Sequence, residues 1–227
     1  MLKTFNYNRN GASKTLEVFL NKRKLTQKNI ASSVHKIIQD VKKNGDKAVL
    51  SYEKKYSNIK TKSYKVFFSK KEINQILKKT DVKIKKAIDL AFARIKNFHS
   101  KQKYSSFKFK DKFKNELSYK YSALDKVGVY VPGGTASYPS TVLMNCIPAL
   151  VAGVKNLYLT TPSLDSKINP AVVYAAKKCG VKKIYKTGGA HTIAALAYGT
   201  KKIEKVDKIV GPGNAYVASA KKEVFSC

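Results

Sequence analysis

From about residue 127 onward, apolar positions come in short continuous runs that alternate with helical stripes. Val127 to Val131 is interrupted only by Gly128, and a run this short and β-rich predicts a buried strand. Pro132, Gly133 and Gly134 stop it. A helix follows, with Ser140 or Thr141 at its start and Val142, Leu143, Cys146, Leu150 and Val151 on its apolar face. The alternation then repeats. Strands are predicted over Asn156–Thr161, Val181–Tyr185 and Val206–Val210, and helices over Pro170–Lys178, Ala190–Tyr198 and Asn214–Val224. About four βα units of this kind make an α/β fold, a Rossmann-like parallel sheet with right-handed crossovers over residues 127–227.

The first hundred residues have a different texture. Leu16 to Leu25 predicts a short helix, and Ile30, Val34, Ile37, Ile38 and Val41 predict a second that ends at Asn44-Gly45. Asp46 caps a third, with Ala48, Val49, Tyr52 and Tyr56 on its inner side. Tyr64–Phe68 alternates as a strand. Ser69 and Glu72 then stand in capping-box register ahead of Ile73, Ile76 and Leu77. Asp81 opens the next helix, whose apolar stripe runs through Ile84, Ile88, Ala91, Phe92, Ile95 and Phe98. Residues 1–102 therefore read as a helix-rich partial α/β domain that needs something else to pack on. In residues 103–126, Phe107, Phe109 and Phe113 interleave with lysines, the pattern of an exposed basic, aromatic hairpin or linker.

In a parallel sheet every strand's carboxyl end lies on one rim, where such sheets bind ligands. That rim gathers Tyr130 with the PGG turn, Thr161-Pro162, the turn from Thr187 to His191, and Gly211-Pro212-Gly213-Asn214. Tyr130 suits a flat ring or the core, and Asn214 suits a helix cap or a ligand amide or hydroxyl. His191, at a helix start, has no visible partner and serves at most as donor or acceptor to a ligand. No catalytic constellation is evident. The acids from Val127 onward are Asp165, Glu204, Asp207 and Glu223, and the only histidine there is His191.

Composition adds exclusions. The three cysteines show no metal or disulfide spacing, and no apolar run is long enough to span a bilayer or make a secretory signal, so a cytoplasmic protein without a membrane partner is expected. The formal charge of +32 raises the possibility of a basic nucleic-acid-binding protein. Arginine, however, occurs only at Arg9, Arg23 and Arg94, and the lysines spread over nearly every element, which fits a compositional bias better than a nucleic-acid stripe.

Six stretches in order, NGDKAVLSYEKKYS, AFARIKNFHSKQ, VGVYVPGG, YPSTVLMNCIPALVAGVK, GGAHTIAALAYGT and DKIVGPGNAYVASAKKEV, resemble histidinol dehydrogenase. The resemblance implies a zinc enzyme of histidine biosynthesis, a homodimer that oxidises L-histidinol to L-histidine with NAD. Carried over by position, the NAD contacts fall on Tyr130, on His191 where the family has glutamine, and on Asn214. No catalytic or metal-binding residue carries over. The family's zinc ligands, acid–base pair and substrate contacts lie beyond the point corresponding to Cys227, so the resemblance implies a truncated chain that is inactive alone. The alternative is a non-catalytic NAD-binding remnant or assembly partner.

Overall fold

The structure, a computed structural model, describes residues 12–57, 65–133, 138–163 and 168–225. Eight helices and six strands follow one another among these residues: α1 (Ala12–Asn44), α2 (Asp46–Ser57), α3 (Lys70–Lys78), α4 (Val82–Ser100), β1 (Phe107–Lys110), β2 (Glu116–Tyr119), β3 (Lys126–Tyr130), α5 (Pro139–Val151), β4 (Asn156–Thr160), α6 (Pro170–Lys178), β5 (Lys183–Tyr185), α7 (Gly189–Tyr198), β6 (Lys208–Val210) and α8 (Ala215–Glu223). No described helix is long and apolar enough to cross a membrane.

Strands β3 to β6 form one parallel sheet in the order β5-β4-β3-β6. The alternation of apolar runs and helical stripes thus yields the expected parallel α/β layer. Because β6 pairs with β3 on the side away from β4, the winding reverses between β3 and β6, and a crevice opens at their carboxyl ends. The central strands are buried, Val127, Val129, Leu157 and Leu159 almost completely.

The amino-terminal helices cover both faces of this sheet, and both core clusters run across the boundary expected near residue 102. On one face, Val34, Ile38 and Val41 of α1 and Val49 of α2 join Ile193 and Leu196 of α7 and Val217 of α8 in a single apolar cluster. On the other, Ile88 of α4 joins Val142 and Ile147 of α5 and Val172 and Val173 of α6. The stripes read from the sequence therefore find their partners in helices of the second half.

Several local expectations change. Helix α1 is continuous over 33 residues, where two helices were expected. No glycine or proline interrupts Leu16 to Ile30, so the polar stretch between the stripes carries the helix on. Of the expected strand at Tyr64–Phe68, Tyr64 lies outside the described residues and Phe67 makes one antiparallel bridge to Tyr185. Phe68 N–H donates to Ile184 O at 2.9 Å, so this segment covers the edge of β5. Helix α5 starts at Pro139 after Tyr138, which makes no side-chain cap, rather than at Ser140 or Thr141; proline suits that first position because no intrahelical bond needs its nitrogen.

Strands β1 and β2 pair antiparallel as the expected hairpin, with Phe107 opposite Tyr119 and Phe109 opposite Leu117. All four are exposed, so the apolar face of this ribbon is as open as its lysine face.

The capping box at Ser69 forms as its spacing predicts. Ser69 N–H donates to Glu72 Oε2 at 2.7 Å, and Glu72 N–H donates to Ser69 Oγ at 3.2 Å. Lys186 Nζ, nearly buried at the end of β5, donates to Glu72 Oε1 at 2.5 Å, tying α3 to the sheet. Burial acts to raise the Glu72 carboxyl, but the bonds from Lys186 and Ser69 outweigh it and hold the group at about 2. A carboxyl depressed in the folded state stabilises fully above its unfolded value and loses that contribution as pH falls through its folded value. Glu72→Gln should therefore cost about 1–2 kcal/mol near neutral pH, a cap and one charged bond partly screened by solvent. Urea titrations of both proteins should show the gap closing as pH is lowered from about 5 toward 2; a gap independent of pH would contradict this assignment.

Candidate functional site

The loops at the carboxyl ends of the strands meet because glycines let their backbones touch. Gly211 follows β6 at φ +102°, and a Cβ placed there would lie 2.0 Å from Tyr130 O. Any side chain would separate the end of β6 from the end of β3. A Cβ on Gly188 would lie 2.2 Å from Pro162 Cγ. These glycines therefore close the crevice walls by contact between loops, which is their first function whatever the crevice receives.

The turn into α7 is held by a carboxylate from the other half of the chain. Glu53 of α2, fully buried, accepts the Gly188 N–H at 2.9 Å and bonds His191 Nε2 at 2.8 Å through Oε1. Its Oε2 accepts the Ser57 hydroxyl at 2.7 Å. Burial opposes ionisation of Glu53, but the hydrogen bonds from His191, Ser57 and Gly188 outweigh it and hold the carboxyl below its ordinary value. The arrangement joins an ionised carboxylate to the positive end of a helix. Above it, the His191 ring stacks near Tyr52 and Tyr56, with centroids 5.6 and 6.3 Å away.

Tyr130 fixes the next donor of the same turn. Its hydroxyl oxygen accepts the Gly189 N–H at 3.1 Å, and its own proton is left to donate. Burial, together with the charge of Glu53, pushes the Tyr130 hydroxyl above its ordinary value, so it stays protonated. Asn214, exposed at the start of α8, accepts the Val217 N–H at 3.1 Å through Oδ1, which leaves its amide N–H groups as donors.

Tyr130, His191 and Asn214, the three residues singled out from the sequence, come from the end of β3, the first turn of α7 and the cap of α8, and line one cleft of about 400 Å³. Ile37, Tyr56, Pro162 and Tyr216 supply much of its apolar and aromatic wall. The three are not equivalent within it. Asn214 is open to the cleft, whereas His191 is 2% exposed and its Nε2 is committed to Glu53. The expectation that His191 lacks a partner is thus corrected: the partner lies 138 residues earlier, on α2.

Glu53 itself was missed. A signal for it existed, since helical spacing from Val49 through Tyr52 and Tyr56 places residue 53 on the buried stripe, and a carboxylate on such a stripe needs a partner. The described residues contain no cluster of three or more His, Cys, Asp or Glu side chains able to hold a metal ion. Asp165 lies outside the described residues.

The sequence model of the histidinol dehydrogenase family matches residues 20–227. The chain is 55% identical over 225 residues to the histidinol dehydrogenase of Pelagibacter ubique, covering 99% of this chain and 52% of that protein. It is 51% identical over 194 residues to that of Bacillus subtilis, covering 85% of this chain and 45% of the relative. The crystal structure of histidinol dehydrogenase from Elizabethkingia anophelis superposes with a TM-score of 0.80 at 38% identity, covering 85% of this chain and 44% of that one. The chain spans about half the length of the curated relatives it matches, and over that span it belongs to the histidinol dehydrogenase family.

Proposed function

We propose that this chain is the cofactor-binding, amino-terminal portion of an NAD-dependent histidinol dehydrogenase, with the dinucleotide seated in the crevice between β3 and β6. The observation that carries the reading is the meeting of Tyr130, the Gly188–Gly189 turn and Asn214 around one cleft at the point where the sheet winding reverses. The cleft combines an apolar, aromatic wall with a few directed polar groups, the usual make-up of a small-molecule site. At about 400 Å³ it suits a ring with its sugar better than a whole dinucleotide.

Each chain residue has a defined task in this reading. Tyr130 donates its hydroxyl proton to a ligand acceptor while its oxygen keeps Gly189 in place. Asn214 donates from its amide, its oxygen being held by α8. Pro162 and the tyrosines of the wall exclude water from one face of the bound ring. His191 acts through the turn it braces, with Nε2 taken by Glu53. When bound, NAD supplies the hydride acceptor for oxidation of an alcohol carbon.

Zinc does not fit the donor sets of the described residues, and no step is assigned to it here. The whole reaction, histidinol to histidine, is proposed for this chain together with the half of the family's length that it does not span.

Two outcomes follow. Incubated with histidinol, NAD and zinc, the 227-residue protein should form no NADH above a blank, and addition of a family carboxyl-terminal half should produce histidinol-dependent NADH. Turnover by the chain alone, or silence from the mixture, would count against this division of labour. By calorimetry, Tyr130→Phe and Asn214→Ala should each weaken NAD binding by about three- to tenfold, the worth of one hydrogen bond. Unchanged affinity in both variants would remove these residues from the site.

A further inference from the structure

A helix that opens on a glycine turn usually offers its first N–H groups and its positive dipole end to a ligand's anion. At the turn into α7 two of these donors are already taken. Gly188 N–H donates to Glu53 at 2.9 Å and Gly189 N–H donates to Tyr130 Oη at 3.1 Å. The Glu53 side chain is fully buried, and its partners, Gly188, His191 and Ser57, surround both carboxylate oxygens.

Resting on the reading that this cleft receives a dinucleotide, we propose that Glu53 determines which end of the ligand enters: it is a resident anion at the α7 turn, so the cleft takes the uncharged or cationic ring end and turns phosphate away. Electrostatics and sterics act together at this turn. A second anion brought to Gly188 and Gly189 would find both N–H groups occupied, with the Glu53 carboxylate buried behind Ser57 and His191 of the cleft lining, where solvent does not screen it. A flat ring meets no such cost, because Tyr56, Tyr130 and Tyr216 line the cleft with aromatic surface and Ile37 and Pro162 complete it. A cationic ring, such as oxidised nicotinamide, gains from the same carboxylate. His191 is then a positioning residue that holds Glu53 ionised and in place, with no contact to the ligand required of its Nε2.

The test uses the 227-residue protein labelled with ¹⁵N, the variant Glu53→Gln, and the double variant Glu53→Gln/His191→Gln, in which two carboxamides replace the pair so that a folding defect in the single variant does not end the test. Inorganic pyrophosphate should leave the amide signals of residues 188–191 unmoved in the parent protein and should move them in at least one variant. The preference for NAD⁺ over NADH, measured as the ratio of dissociation constants, should fall by about three- to tenfold on loss of the carboxylate charge. Pyrophosphate shifts at this turn in the parent, absence of such shifts in both variants, or an unchanged preference would each overturn the assignment. Failure of the parent to bind either dinucleotide would remove the NAD reading, and the pyrophosphate arm would then decide the role of Glu53 by itself.

Discussion

One buried carboxylate joins the two halves of this chain where the sheet opens. Glu53 belongs to a helix from the amino-terminal part, yet every direct partner except Ser57 belongs to the turn that leads from β5 into α7. An ionised group taken out of water is tolerable only when its oxygens are met by donors, and here a backbone amide, an imidazole and a hydroxyl meet them. The consequence is a fixed geometry for the Gly188–Gly189 turn. With the turn fixed, Tyr130 reaches Gly189, and the ends of β3 and β5 are locked together beside the crevice.

The rest of the architecture supports that point. Glycines at 188 and 211 allow loops to approach to distances that any side chain would forbid, so the crevice has close walls. Helices from both halves bury the two faces of a narrow sheet, whose own crossover helices would leave apolar surface uncovered. Lys186 and Glu72 repeat the same device at the outer edge, where a charged pair ties α3 to the end of β5. The chain thus uses packing to hold its layers and a few buried polar links to hold the rim in register.

Much of this was legible in the sequence. Short continuous apolar runs and period-3.6 stripes produced the parallel sheet and its helices, and the caps at Ser69 and Asp81 followed from local chemistry alone. The rim residues Tyr130, His191 and Asn214 were found because topology forces strand ends onto one side. What stayed hidden depended on contacts distant along the chain. The pairing of Glu53 with His191 spans 138 positions, and neither residue carries a local mark of the other. The docking of α1 against α7 and α8 is likewise a property of complementary surfaces, and the sequence pattern shows each surface without its partner. The unbroken α1 was missed for another reason: a polar interval that holds no glycine or proline looks like a linker when only apolar spacing is read.

The proposed site of the nicotinamide nucleotide is the crevice between β3 and β6. A crystal structure of the 227-residue protein grown with NAD would test it most directly. The nicotinamide ring should lie against Tyr130 and the Gly188–Gly189 turn, with Asn214 bonded to the ligand. A dinucleotide seated elsewhere on the protein, or phosphates placed at the α7 turn, would contradict it.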